Sequence, residues 1–232
     1  LHAHLDEEID PRRFDIANAR LDLRLDRVPI AYILGYKEFY GRRFTVSPSV
    51  LIPRPESEDL ISLFLELTAS EIAEKVLIDV GAGSGCLGIT AKLERSNLSV
   101  ILSDISKPAL NIAEKNANAL NADVHIQQQS LLNGQLRPVD YIFANLPYVD
   151  KNWDVSPELQ YEPDIALFAE DKGLKLILQL ISQAPRCLTP EGLLFIEADP
   201  QQHNRIINEA AKNGFVKEMV LNYILVLRFT GA

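Results

Sequence analysis

The chain has 232 residues, 47% hydrophobic and 24% charged, with a net charge of −9. That composition buries a full core in one large domain with room for a small appendage, and its acidity argues against broad docking on nucleic acid, whose phosphates are met by basic surfaces. Two cysteines, Cys86 and Cys187, supply neither a disulfide framework nor paired metal-ligand spacing, so both read as buried thiols, and no metal is expected.

The chain opens on Leu1 rather than Met, which points to residues ahead of it, and nothing near Leu1 shows the basic-then-apolar pattern of a signal peptide. No run approaches the roughly 18 apolar residues of a membrane span, so a cytoplasmic protein without membrane contact is expected. His2 and His4 resemble a metal pair only superficially and read as histidines of a disordered terminus. Residues 1–34 are charge-rich and helical in pattern, with Ile16, Ala19 and Leu23 on one side, as in a short helical segment or linking helix. Residues 35–55 read as a hairpin turning near Gly41, followed by a proline-stiffened passage.

From Glu56 to the end, helical and strand patterns alternate as a doubly wound α/β domain requires. "KVLIDVG" (75–81), "SVILSD" (99–104), "DVHIQQ" (123–128), "DYIFAN" (140–145) and "GLLFIEA" (192–198) have the near-continuous apolar character of parallel strands covered on both faces. Helical spacing fills residues 86–96, 106–120, 173–188 and 201–214, with Ser106 as an N-cap and Pro108 in the first turn of the second. "FVKEMVL" and "YILVLRF", separated only by Asn222, predict an antiparallel hairpin at the sheet edge. The sum is a mostly parallel, seven-stranded, Rossmann-like sheet with an antiparallel last strand. His125, His203 and Trp153 have no constellation around them and are read as structural.

"DVGAGSGCLG" leaves the first of these strands and opens a helix. Gly81, Gly83 and Gly85 let the backbone turn sharply and approach a ligand, with Ala82 and Ser84 between them, while the helix offers unpaired N–H groups. Gly83, Gly85 and Gly88 also satisfy the dinucleotide pattern, so the loop alone does not separate nicotinamide from S-adenosylmethionine. Asp104, at the end of the second strand, is placed to accept both hydroxyls of an adenosine ribose, or to cap the helix that follows. Asp79 either holds the loop's turn or faces a cofactor ammonium.

Ligands of such sheets bind where the strand order switches, here between the first and fourth strands, and "NLPY" leaves the fourth strand there. This segment resembles the Asn-Pro-Pro-Tyr signature of class I S-adenosylmethionine-dependent methyltransferases acting on planar amide or amino nitrogens. "RVPIAYILGYKEFYGRRFTVSPSVLIPRPESE" (27–58) and "YEPDIAL" (161–167) resemble the HemK family of protein glutamine methyltransferases.

The resemblance implies S-adenosylmethionine as cofactor and S-adenosylhomocysteine as product, held by residues 81–85, Asp104, Ser130, Leu131 and Asn145. It implies a substrate carboxamide whose N–H groups are accepted by the Asn145 side-chain oxygen and the Leu146 carbonyl, with Pro147 stiffening the turn and the Tyr148 ring packing on the amide. Arg54, Pro55 and Glu56 are expected in a lid over cofactor and amide, lined by Phe44 and Val46, against the plainer reading of an Arg54–Glu56 surface ion pair. The implied substrate is a translation protein, a class 1 peptide chain release factor, met by a monomer with no stable nucleic acid partner.

Four departures from the family pattern stand out. Leu146 replaces the first proline, which leaves the carbonyl but loosens the turn; Ser130 stands where many members have Asp near the adenine amino group. "EADPQQ" (197–202) replaces Glu-Ile-Gly-x-x-Gln, and residues 1–34 are a remnant of the helical domain that the resemblance assigns to substrate recognition. The alternatives are glutamine methylation of a ribosomal protein, adenine methylation of nucleic acid, a cofactor-binding homologue that no longer catalyses, and a nicotinamide dehydrogenase.

Overall fold

Apolar runs flanked by turn residues become neighbouring strands because each must satisfy its backbone polar groups while burying both faces. In the computed structural model, which describes residues 10–135 and 137–231, seven such runs form one sheet; His2 and His4 lie outside the described residues. In chain order the strands are β3 (Lys75–Val80), β4 (Leu98–Asp104), β5 (His125–Gln128), β6 (Val139–Ala144), β7 (Leu188–Glu197), β8 (Phe215–Leu221) and β9 (Ile224–Phe229). Their order across the sheet is β5-β4-β3-β6-β7-β9-β8. All pairings are parallel except those of β9, which runs antiparallel to both β7 and β8. The strand order reverses between β3 and β6, the predicted switch point.

Helices cover both faces. α3 (Glu58–Leu67), α4 (Cys86–Glu94) and α5 (Lys107–Leu120) pack against the side bearing Leu77, Tyr141, Phe143 and Phe195. α7 (Lys175–Gln183) and α8 (His203–Lys212) cover the side bearing Ile78, Ile142 and Ile196; a single turn, α6 (Asp164–Leu167), precedes them. Ser106 caps α5, its side chain accepting the Ala109 N–H at 3.3 Å. Phe64 on α3 meets Tyr141, Phe143 and Phe195 edge-to-face, with ring centroids 5.3, 5.1 and 5.8 Å away. His203 is buried beside the Ala198 carbonyl at 3.1 Å, whereas His125 is exposed.

Ahead of the sheet, α1 (Pro11–Leu25) and α2 (Ile30–Leu34) lead into a hairpin of β1 (Tyr36–Phe39) and β2 (Arg42–Thr45). Tyr40 and Gly41 make its two-residue turn with φ of 49° and 72°, the left-handed pair such a turn needs.

Several expectations need correction. β7 begins at Leu188, four residues before the expected Gly192, and α7 stops at Gln183. Pro185 sits in a short 3-10 turn after α7, and Leu188 pairs with Val139 before a bulge in which Glu191 takes φ 64°. The apolar side of α1 does not pack within the described residues: Ile16 is 53% and Leu23 45% exposed, and no residue of the helix is buried. Polar ties hold it instead, Arg24 Nη2 to Glu158 Oε1 at 2.6 Å and the Tyr161 hydroxyl donating to the Asp26 carbonyl at 2.6 Å. Among the described residues no helix is long and apolar enough to cross a membrane.

The aromatic cluster makes a direct test. Phe64→Ala removes the ring that three others converge on, and it should lower unfolding free energy by about 3–5 kcal/mol, read as an earlier urea midpoint at unchanged slope.

Candidate active site

Gly81, Gly83 and Gly85 adopt φ of 72°, 56° and 79°, so the loop leaving β3 runs through three left-handed positions. The Gly81 and Ala82 N–H groups donate to the Ser103 carbonyl at 2.8 and 2.9 Å, which ties the loop to β4. Asp104 completes the tie: Oδ2 accepts the Gly83 N–H at 2.9 Å and Oδ1 the Ser106 N–H at 2.8 Å. Asp104 thus holds the loop and starts the turn into α5, while Ser106 does the capping. Burial raises its pKa, against the bonds from Ser106, Gly83 and Ile105. Asp79 is buried, accepts the Gly88 N–H at 2.9 Å, and is pushed up to about 7 by burial and, more weakly, by the charge of Asp104. Gly88 serves packing, since a Cβ there would stand 2.4 Å from Leu102 Cδ2.

Asp79, Gly81, Ala82, Gly83, Ser84 and Asp104 wall one cleft at the switch point, shared with Val50, Arg54, Ser57, Ser130, Leu131 and residues 145–147; Gly85, expected beside the cofactor, faces the core instead, where a Cβ would stand 2.8 Å from Ile89 Cδ1. A Cβ added at Gly83 would meet nothing nearer than the Gly81 carbonyl at 3.9 Å, so the loop offers the cleft bare backbone. Gln129, also in the wall, has a buried side-chain nitrogen with no partner among the described residues, while its oxygen accepts from Gln127 at 2.8 Å. Bare glycine backbone, an acidic pair and an unspent buried donor fit a nucleoside bearing an amino acid.

Across the cleft, Asn145 leaves β6 with Nδ2 donating to Ser57 Oγ at 3.2 Å. Ser57 sits at the N-cap of α3 without capping it, because its hydroxyl donates to Glu197 Oε2 at 2.5 Å. The Tyr148 hydroxyl donates to Glu197 Oε1 at 3.2 Å. Burial raises the pKa of both Tyr148 and Glu197; the bonds from the Ser57 and Tyr148 hydroxyls oppose it for Glu197. The Leu146 side chain is buried, and a Cβ at Gly81 would lie 2.9 Å from its Cδ2, so it adds a packing contact between the two loops beyond the carbonyl expected to matter.

The altered "EADPQQ" keeps its last glutamine in use. Gln202 Nε2 donates to the Tyr148 carbonyl at 2.8 Å and the Lys172 carbonyl at 2.9 Å. Asp199 caps this turn at φ −64°, a conformation that does not require glycine.

The proline-rich passage departs from expectation in three ways. Arg54 pairs with Glu162 of "YEPDIAL" at 2.6 Å rather than with Glu56. Glu162 is buried and also accepts the Ile52 N–H at 3.0 Å, which pins the passage to the segment before α6. Pro55 and Glu56 are exposed outside the cleft wall, because the 3-10 turn over residues 55–57 points Ser57 inward in their place. Phe44 and Val46 do not line the cleft either: strand alternation turns Phe44 onto Phe39, at 6.1 Å between rings, and Val46 packs behind Val50 and Ala109. The Tyr148 ring is likewise outside the wall, drawn toward Glu197. Cys187 is buried as expected, but Cys86, turned by the left-handed Gly85, lines the cleft, its thiol pushed up to about 12 by burial.

Ser57, Gln129, Glu162, Glu197 and Gln202 were not singled out in the sequence. Four of them stand inside or beside segments the resemblance drew on; the missing signal was their pairing across long sequence separations.

Residues 58–160 match the family described as Methyltransferase small domain. A release factor glutamine methyltransferase from Neisseria gonorrhoeae is 42% identical over 199 residues, 83% of this chain and 71% of its own. One from Koribacter versatilis is 41% identical over 198 residues, 81% of this chain and 69% of its own. Among solved structures, a Thermus thermophilus 16S rRNA N2 G1207 methyltransferase in complex with AdoMet and guanosine shares the fold at TM-score 0.62 and 18% identity, over 85% of this chain and 50% of its own. Likeness of that depth, carried over most of both chains by the first two relatives, means that this chain belongs to the release factor glutamine methyltransferase family, whose methyl donor is S-adenosylmethionine.

Proposed function

We propose that this chain methylates the side-chain amide nitrogen of a glutamine in a protein substrate, a class 1 peptide chain release factor. The observation that carries the reading is the meeting of two loops at the switch point: Gly81 of the glycine loop and Leu146 of the β6 exit are in packing contact, so a donor held by one lies beside an amide held by the other.

Residues 81–84 would lie against the cofactor's amino acid portion, Asp79 would face its ammonium, Asp104 would accept from the ribose hydroxyls, and Gln129, Ser130 and Leu131 would border the base. S-adenosylmethionine supplies an electrophilic methyl with its own leaving group. The protein's task is then positioning, because an amide nitrogen, its lone pair delocalised into the carbonyl, reacts only when aimed. Asn145 Oδ1 and the Leu146 carbonyl would accept the two N–H groups of the substrate amide, and Pro147 would keep the turn stiff. Tyr148 would close the site once substrate enters, with Pro55 and Glu56 at its rim. Arg54, neutralised by Glu162, would hold the proline passage in place. The acidic net charge of −9 supports a protein partner over nucleic acid; we read the enzyme as a cytoplasmic monomer.

Labelled S-adenosylmethionine incubated with intact release factor, ribosomal protein or DNA should label the release factor alone, and replacing its target glutamine should abolish uptake. Label on DNA or on the ribosomal protein would overturn the substrate assignment. Asn145→Ala should lower turnover about 100-fold or more, the scale set by lost alignment, at nearly unchanged cofactor affinity by calorimetry.

Asp79 yields a second prediction with a definite sign. Its folded pKa of about 7 lies above its ordinary 3.8, so the fold prefers the protonated acid and loses stability as pH rises from about 4 through about 7. Asp79→Asn does not titrate and can still accept from Gly88. Its unfolding free energy should exceed the parent's at pH 8 by at most about 4 kcal/mol, at about 1.4 kcal/mol per pKa unit, read as a higher thermal midpoint, and the gain should vanish near pH 4. Cofactor affinity should fall at the same time, since the ammonium loses its counter-charge.

A further inference from the structure

One buried carboxylate is left without a part in the chemistry above. Glu197 ends β7 at 1% exposure, and a lone buried acid is costly unless its oxygens are satisfied. Here they are satisfied by the two side chains that flank the expected amide site: Ser57 Oγ on Oε2 at 2.5 Å and the Tyr148 hydroxyl on Oε1 at 3.2 Å.

The direction of these bonds carries information. Ser57 accepts from Asn145 Nδ2 while it donates to Oε2, and Tyr148 donates to Oε1, so both hydroxyl protons are committed to Glu197. Ser57 Oγ, having given its single proton, faces Asn145 with lone pairs alone. The Asn145 side chain, 3.2 Å away, can then meet Ser57 only through Nδ2. Its oxygen is the end left for a ligand in the cleft that Asn145 lines. A carboxamide substrate offers two N–H donors at the reacting nitrogen and needs acceptors there, so the opposite amide orientation would set donor against donor.

Resting on the proposed function, we infer that Glu197 is a positioning residue for methyl transfer: acting through Ser57, it fixes which end of the Asn145 amide faces the substrate and so selects a carboxamide NH2. It touches neither cofactor nor substrate. Its effect is a polarity passed along two hydrogen bonds, from a strand end 52 positions beyond Asn145.

The signature is a rescue that a structural role would not produce. Asn145→Asp places an oxygen against the lone pairs of Ser57 and should cut kcat about 100-fold or more. Glu197→Gln can turn an N–H toward Ser57, which frees the Ser57 proton for Asp at position 145. The double variant should therefore turn over about tenfold faster than Asn145→Asp alone, although Glu197→Gln by itself should cost about tenfold or more in kcat. Cofactor affinity by calorimetry should hold within about twofold in each, which keeps the loss in kcat. A double variant no faster than Asn145→Asp, or a Glu197→Gln enzyme with parental kcat, overturns the inference. Should Glu197→Gln fail to fold, Ser57→Ala breaks the same chain and should show the same loss in kcat. A readout without substrate separates this inference from the proposed function: the Asn145 side-chain amide protons in NMR, assigned by their absence in Asn145→Ala, should shift and exchange faster in Glu197→Gln or Ser57→Ala. Unchanged resonances overturn the inference even if the parent methylates glutamine. A parent that labels no glutamine while the resonances move overturns the substrate assignment and leaves the orientation device standing.

Discussion

The parallel pairing of β3 with β6 is the constraint from which the site follows. Ile78 pairs with Ile142 and Val80 with Ala144, so both strands end at one level and release Gly81 and Asn145 side by side. A shift of one residue in either strand would turn its alternating side chains to the wrong faces and separate the two exits. The register is protected from both faces: Ile78, Val80, Ile142 and Ala144 lie in the core under α7 and α8, and Leu77, Tyr141 and Phe143 under α3 and α4. Burial of the sheet and alignment of the cleft are therefore one and the same packing problem.

Around that alignment, buried polar residues fasten elements far apart in the chain. Glu162 pins the proline passage, Gln202 holds the Tyr148 carbonyl, and Glu197 gathers Ser57 and Tyr148. Each is a buried group whose desolvation is offset only if its partners are present, so the loops around the cleft cannot drift independently without leaving a donor or acceptor unmet. Rigidity at the site is hydrogen-bonded on the loops and hydrophobic beneath them.

Much of this was legible in the sequence because its signals are local. Gly81, Gly83 and Gly85 announced a loop that only glycines trace, Asn222 alone between two apolar runs required a hairpin, and "NLPY" marked the exit opposite the loop. The misses have a common cause. Ser57 and Glu197 are 140 positions apart, and Arg54 and Glu162 are 108 apart, so no spacing rule joins them. Arg54 was accordingly matched to the wrong acid, the nearby Glu56. Phe44 and Val46, assigned to a lid by their apolar character, went to packing instead: strand alternation turned Phe44 inward, and Val46, just past β2, packs with Val50 and Ala109. The helical pattern of residues 11–25 did form a helix, but pattern alone does not say what its apolar side will meet.

That helix has a consequence for how the molecule responds to its solution. Among the described residues, the contacts tying α1 to the segment ahead of α6 are an ion pair with side chains 41% and 37% exposed and a hydroxyl on a carbonyl, with no buried residue of the helix behind them. Exposed ion pairs are screened by salt, whereas burial of the sheet core is not. The ion pair that helps dock α1 is therefore weakened by salt in a way the sheet core is not. The far ends of those contacts, Glu158 and Tyr161, stand in the same short segment as Glu162, so the salt-sensitive tie of the helix and the buried tie of the proline passage share one stretch of chain beside the cleft.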